Sequence, residues 1–269
     1  MANRNLALIT GASSGIGLEL ARVFAQNGYD LIVNAASERL ERATSQLKEL
    51  GVDVIPVQSD LSTYDGVEQL WRAAEQARRP FDAVAINAGV GAYGDFARES
   101  SLDEELKVIA LNVTSTVHLA KRVLAQMTRR GEGKVLFTTS IAGSIPAPLK
   151  AVYGASKAFI LSFGQSLRNE LKDTDIKITV LQPGPTNTDF FHRAGMDHTK
   201  VGSEGKYTND PAEVAKQGFQ ALMDGKDHIF AESMKTKMEG AMSKVVPDSV
   251  TAEMHRKQAE PKEKEKKTA

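Results

Sequence analysis

Short apolar runs separated by helix-patterned stretches constrain this chain more than any other feature. The runs are Leu6–Ile9, Asp30–Val33, Val52–Val57, Ala83–Ile86, Val135–Phe137, Ile176–Leu181 and Ile229–Ala231. Between them lie helix-like stretches such as Glu38–Leu50, Gly66–Ala77, Leu102–Met127 and Ala151–Leu171. Strands that read as continuous apolar runs are buried on both faces, so the alternation implies an α/β fold with a parallel sheet covered on both sides by helices. Its crossovers are expected to be right-handed. With 269 residues and 41% hydrophobic content, the chain can bury one sizeable core as a single domain.

A second feature sits between the first run and the first helix, Thr10-Gly-Ala-Ser-Ser-Gly15-Ile-Gly17. It opens an amphipathic stretch carrying Leu18, Leu20, Val23 and Phe24. The order strand, glycine turn, helix lets the backbone approach a pyrophosphate and offers it free N–H groups at the positive end of a helix. A bare turn is the alternative, and the position in the strand–helix order favours the phosphate reading.

A third feature is a constellation. Ser140 closes the run Lys134-Val-Leu-Phe-Thr-Thr-Ser140, and Tyr153 follows thirteen residues later with Lys157 at i+4. That spacing puts the phenol and the ammonium on one helix face. A neighbouring positive charge favours the phenolate and is expected to lower the tyrosine pKa from about 10, which makes Tyr153 a candidate general acid/base. Ser140 is placed to hold a substrate carbonyl or hydroxyl. By itself such a pair is usually a partly exposed surface pair on a helix.

Together these residues resemble the classical short-chain dehydrogenase/reductase family. The resemblance runs from about residue 5 to about 231. It rests on Thr10 to Gly17, Asp60-Leu61, Asn87-Ala88-Gly89, Asn112, Ser140, Tyr153-x-x-x-Lys157, Pro183-Gly184 and Thr188. It implies a Rossmann-type, doubly wound parallel sheet of about seven strands over residues 1–231, with a substrate lid at 185–209. The activity implied is reversible hydride transfer between a nicotinamide cofactor and a ketone, aldehyde or alcohol.

The resemblance also implies residue roles. Gly11, Ser13, Ser14, Gly15, Ile16 and Gly17 belong to the pyrophosphate turn. Asp60 would bond the adenine amino group, with Leu61 flanking it; a strand-end cap is the plain alternative for Asp60. Asn87, Ala88 and Gly89 would lie beside the adenosine ribose while steadying the sheet. Pro183, Gly184 and Thr188 would pack against the nicotinamide. Lys157 would hold the nicotinamide ribose and depress the Tyr153 pKa. Asn112 would hold a water linking Lys157 to solvent; otherwise it is a polar residue within a long helix, where Asn is unfavourable. The family's usual assembly, a dimer or tetramer through the Leu102–Met127 and Ala151–Leu171 helices, is expected here.

The cofactor pattern departs from the family at the end of the second strand, Leu31-Ile-Val-Asn34-Ala35-Ala36-Ser37. An acid at position 34 would repel a 2′-phosphate, and an arginine at 35 would pair with one. Neither is present. Asn34 is read as a ribose ligand, with Ser13, Ser37 and Arg39 in reach of a phosphate. The reading leans to NADP(H), with NAD(H) open.

The substrate is read as a small carbonyl or alcohol in an apolar pocket. Val90, Tyr93, Ile141, Ala142, Ile145 and Leu149 line it, under a lid bearing Phe190, Phe191, Met196 and Tyr207. Simple packing explains such an aromatic group as well. His192 and His198 lack a metal-ligand spacing. His118 reads as a packing residue and Trp71 as a partly buried helix residue. Charges balance at 34 and 34, which points to no nucleic-acid or membrane partner. No cysteine is present, so neither a disulfide nor a thiol nucleophile is available. The start, Met-Ala-Asn-Arg-Asn, leads straight into a strand without a signal-peptide pattern, so a cytoplasmic protein is expected. A helical extension is expected at 232–254, around Ser233–Val245, and a charged solvated tail at 255–269. Two rival readings remain open, a cofactor-binding sensor without turnover and an isomerase or dehydratase that uses the cofactor transiently.

Overall fold

Seven strands form one parallel sheet in the order β3-β2-β1-β4-β5-β6-β7 in the computed structural model, which describes residues 4–203, 209–231 and 247–261. They are β1 (Asn5–Thr10), β2 (Tyr29–Ala35), β3 (Val54–Gln58), β4 (Ala83–Ile86), β5 (Glu132–Thr138), β6 (Asp175–Pro183) and β7 (His228–Ala231). Every residue of β2 and β4 is buried, as expected for strands covered on both faces. All the pairings are parallel.

On one face pack α1 (Gly15–Gln26), α2 (Arg39–Lys48) and α9 (Pro211–Met223). Phe24 of α1 meets Phe219 of α9 edge to face at 4.9 Å between ring centroids, a favoured aromatic geometry. On the other face lie α3 (Tyr64–Gln76), α5 (Ser115–Arg130) and α6 (Ala151–Glu170), around Leu70, Trp71, Phe81, Val123 and Met127. Trp71 is buried there. Local signals set the helix ends. The Thr63 hydroxyl accepts from Gly66 N–H at 3.0 Å to cap α3. Gly131, at φ +78°, stops α5 in the left-handed region. The short α7 (Phe190–Arg193) and α8 (Lys200–Ser203) lie in the 185–209 segment after β6.

Two expectations are corrected. The stretch Leu102–Met127 is not one helix. It divides into α4 (Leu102–Val108), a π-helical turn (Ile109–Thr114) and α5. Asn112 sits in that turn, fully buried. Its amide nitrogen donates to Val90 O (3.0 Å) and Ser156 Oγ (2.9 Å), and its oxygen accepts from Val90 N–H (3.0 Å). A single widened turn of this kind often marks a functional position. Second, the chain does not become a solvated tail at His255. Helix α10 (Asp248–Ala259) turns Thr251, His255 and Ala259 inward. Their i, i+4, i+8 spacing makes one buried stripe of small and polar residues, which a search for apolar residues passes over. The Tyr93 hydroxyl donates to Ala259 O at 2.9 Å, and Lys200 N–H donates to Glu260 O at 3.1 Å. The helix expected at Ser233–Val245, Tyr207 and residues 262–269 lie outside the described residues. Among the described residues, no helix is long and apolar enough to cross a membrane.

Strand order reverses between β1 and β4, and Thr10 holds the two together there. Its hydroxyl accepts from Asn87 N–H at 2.9 Å and Ala88 N–H at 3.0 Å. The Asn87 amide donates in turn to Thr10 O at 3.2 Å. Replacing Thr10 with valine keeps the shape and leaves two N–H groups unpaired, so stability should fall by about 1–3 kcal/mol. Urea denaturation checks this, and an unchanged midpoint would show that the bridge is dispensable.

Candidate active site

A cavity of about 320 Å³ opens at the carboxyl ends of the strands, where the strand order reverses. Such crevices are the usual ligand sites of open α/β sheets. Gly11, Ser13, Ser14, Gly15, Ile16 and Gly17 line it from the first turn. Gly11 and Gly15 have φ of +70° and +56°, a region that L side chains rarely adopt. At Gly15 a Cβ would also lie 2.8 Å from Thr188 Cγ2, so the turn is pressed against the first residues of the lid. Ser14 precedes α1 without capping it through its side chain, so that hydroxyl leaves the N-terminal N–H groups uncapped.

The expected residues from the other strand ends meet at the same cavity. Asn34, Asp60, Leu61, Asn87, Ala88, Gly89, Pro183, Gly184 and Thr188 all line it, as do Ser140, Tyr153 and Lys157. Asp60 Oδ1 accepts from Ser62 N–H at 2.9 Å, so its turn-capping role is present as well. Asn112 does not line the cavity. It stands behind the wall and fixes the backbone after Gly89 to α6 through its bonds to Val90 and Ser156.

Lys157 is buried, and its ammonium donates to Thr138 O at 3.1 Å. It lies 5.8 Å from the centroid of the Tyr153 ring. Burial, with no opposing partner, pushes Lys157 down to about 8. Tyr153 moves opposite to the sequence-based expectation. Burial pushes it up to about 12, and a hydrogen bond with Ser140 only partly offsets this. Loss of hydration dominates, and the hydrogen bond with Ser140 is what opposes it. Tyr153 is therefore a neutral phenol at pH 7, with a proton to give. Ser140 Oγ also accepts from Ala142 N–H at 3.2 Å, which fixes the start of the short 3₁₀ turn Ile141–Gly143.

Asn34 differs from its expected role. Its amide nitrogen donates into the sheet, to Val57 O at 3.0 Å and Ser59 Oγ at 2.9 Å. It ties β2 to the end of β3, and its N–H donors are used there. Ala35, Ala36, Ser37 and Arg39 line the cavity beside it. Arg39 pairs with Asp189, and Arg193 Nη1 donates to Ser14 Oγ at 3.4 Å. Both arginines thus bridge the glycine-turn side and the lid.

At the opposite end, Val90, Ile141, Ala142, Phe190, Phe191 and Met196 line the cavity as expected. Tyr93, Ile145 and Leu149 do not. The Tyr93 ring packs edge-on against His198 at 5.2 Å while its hydroxyl holds α10. Lys150, His255 and Gln258 line this end and were not singled out by sequence reasoning. The two from α10 escaped because that helix carries no apolar stripe. Lys150 escaped because an isolated lysine reads as surface. His192 bonds Asp197 at 2.7 Å, away from His198. His118 Nε2 lies 2.7 Å from Glu68 Oε1, which also pairs with Arg122. Among the described residues, no group of three or more His, Asp or Glu side chains is arranged to hold a metal.

Comparison with known proteins agrees with this geometry. The short chain dehydrogenase family model matches residues 5–198. Oxidoreductase UcpA of Salmonella typhimurium is 32% identical over 257 residues, covering 91% of this chain and 96% of that protein. The NADP-dependent 3-hydroxy acid dehydrogenase YdfG of Salmonella typhi is 32% identical over 179 residues, covering 66% of this chain and 71% of that protein. A short-chain dehydrogenase from Sphingobium yanoikuyae, solved in complex with NADPH, superposes with a TM-score of 0.76 at 27% identity, covering 90% of this chain and 96% of that one. The chain belongs to the short-chain dehydrogenase family, as an NAD(P)-dependent oxidoreductase.

Proposed function

We propose that this protein reduces a ketone or aldehyde to an alcohol with NADPH, and that Tyr153 is the proton donor. The observation that carries the reading is a neutral, buried Tyr153 beside Ser140 and Lys157 in the cavity that the glycine turn also lines. The residues fit a dinucleotide. At Gly89 a Cβ would lie 3.1 Å from Asn112 Oδ1 and 3.3 Å from Lys157 Nζ, so a side chain there would crowd both groups. The uncapped start of α1 suits a pyrophosphate. Bound there, the nicotinamide supplies the hydride that is added to the carbonyl carbon.

The chain's own residues do the rest. Ser140 and Tyr153 hold the carbonyl oxygen. Tyr153 gives its hydroxyl proton to that oxygen as negative charge develops on it. The Lys157 ammonium holds the ribose hydroxyls and stabilises the phenolate that Tyr153 becomes. Asn112 keeps Lys157 in place through α6, and the water relay assigned to it by family resemblance belongs to this reading.

Several features support NADPH. No acid stands at the end of β2, Ser37 and Arg39 line the cavity beside Asn34, and Arg193 approaches from the lid. Similarity to an NADP-dependent dehydrogenase and to an NADPH complex points the same way. Assembly through α4, α5 and α6 also belongs to this reading. Leu102, Leu106 and Val117 are exposed on the first two of these helices and Phe159 on the third, a partly apolar surface of the kind that interfaces cover. A cytoplasmic location completes the reading.

Nicotinamide fluorescence should show NADPH binding roughly tenfold or more tightly than NADH, the worth of one charge-assisted contact to a phosphate. Arg39→Ala should narrow the gap. Equal affinities would remove the phosphate assignment.

Tyr153→Phe should lower kcat by about 10²–10⁴-fold, as loss of a general acid does. Steady-state NADPH oxidation at 340 nm measures it, and a wild-type kcat in the variant would dismiss Tyr153 as donor.

Lys157 is charged below its pKa and neutral above it. Nucleotide affinity of the free protein should therefore fall as pH rises through about 8. Fluorescence titrations across this range should show the inflection in wild type. Its persistence in Lys157→Met would assign it to another group.

A further inference from the structure

The substrate end of the cavity carries a cation that the mechanism does not use. Lys150 immediately precedes α6 and is half-buried in the cavity wall, three residues before Tyr153. Lys150 is the N-cap of that helix, and both it and Tyr153 line the cavity. The other cations lining the cavity have partners. Lys157 donates to Thr138 O, Arg39 pairs with Asp189 and Arg193 donates to Ser14. Lys150 makes no ion pair or side-chain hydrogen bond among the described residues, and burial alone moves its pKa, down to about 8. It remains charged at pH 7.

Its surroundings suit an anion. Among the described residues, Asp60 is the one carboxylate lining the cavity, and it stands just after β3, on the far side of the glycine turn. His255 also lines the cavity, with Nδ1 at 3.1 Å from Pro146 O. A carbonyl only accepts, so Nδ1 carries the proton and Nε2 is an acceptor. Burial first, then the Lys150 charge, push His255 down to about 4, so it adds no second charge at neutral pH. Gln258, the penultimate residue of α10, brings an amide donor to the same cavity. The positive end of the α6 dipole has the same sign as the lysine. Even partial burial of an ammonium without a counter-ion is unfavourable, and an anionic ligand would offset it.

We propose that Lys150, assisted by Gln258, binds a carboxylate on the substrate, so that the protein acts on short oxo acids rather than on neutral ketones. The inference rests on the carbonyl-reductase reading above. The carboxylate lies at Lys150 while Ser140 and Tyr153 hold the reacting oxygen in the same cavity, which favours substrates that carry the two groups close together. Helix α10 then completes the substrate site, because His255 and Gln258 belong to it.

The test compares 3-oxobutanoate with its methyl ester, a neutral analogue, in NADPH oxidation by the full-length protein. Wild type should favour the acid in kcat/KM by roughly ten- to hundredfold, the worth of a charge-assisted hydrogen bond. Lys150→Met should bring the ratio near one, chiefly through the KM of the acid, and Lys150→Arg should retain the preference. Butanoate should inhibit reduction of the ester competitively in wild type, a readout that does not depend on any variant folding. Turnover of both substrates without preference for the acid, a ratio unchanged in Lys150→Met, or no inhibition by butanoate would overturn the role of Lys150 while leaving the reductase reading intact. Absence of turnover on either substrate would sink the reductase reading and the inference with it.

Discussion

Burial of one ammonium organises the site. Lys157 is 4% exposed, and removing a charged group from water is unfavourable unless the fold supplies a compensating arrangement. The fold supplies Thr138 O at the end of β5 for Nζ and, at the other end of the residue, a bond from Thr139 Oγ1 to the Lys157 carbonyl. Helix α6 is thereby fixed to the end of the strand that leads, through Thr139, into Ser140. Close packing enforces the same position. At Gly143 a Cβ would lie 2.6 Å from the Lys157 carbonyl carbon, so the turn after Ser140 can approach α6 only without a side chain. Asn112 makes the complementary link from the π-helical turn to Ser156. Ser140, Tyr153 and Lys157 are thus set by rigid elements rather than by loops.

The same burial sets the chemistry. Desolvation disfavours the charged form of both Tyr153 and Lys157. The phenol keeps its proton and the ammonium holds its own weakly, which is the pairing a carbonyl reduction needs at neutral pH. The lid and α10 close the opposite end. Tyr93 ties the segment after β4 to α10, and Lys200 ties α8 to the residue that follows α10. The apolar lining of Phe190, Phe191 and Met196 therefore meets a polar corner of Lys150, His255 and Gln258. That corner gives an otherwise permissive pocket a chemical preference.

The sheet was legible because buried parallel strands leave long apolar runs, and the glycine turn was legible because its backbone geometry excludes side chains. Strand ends were misplaced by one to three residues where polar positions such as Thr10, Asn34 and Thr138 are buried by hydrogen bonding. Spacing located Tyr153 and Lys157 but gave the wrong direction for the tyrosine pKa, since a pattern of residues does not reveal how much water a fold removes. Asn112 was suspect as a poor helix former, and the structure supplies the reason in its bonds to Val90 and Ser156. The polar composition of the last residues concealed α10, whose inward stripe depends on Thr251, His255 and Ala259 rather than on large apolar side chains. Lys150 carries no local signal. Its significance appears only once the cavity has formed around it.

The central claim is that hydride enters a carbonyl carbon while Tyr153 supplies the proton. Single-turnover reduction with NADPH deuterated at the transferring C4 position, followed by mass analysis of the product, tests it directly. The account predicts an alcohol one mass unit heavier, with deuterium on the carbinol carbon, formed rapidly by wild type and slowly by Tyr153→Phe. A product lacking that deuterium, or an equal rate in the variant, would contradict it, and the first result would favour the isomerase or dehydratase reading.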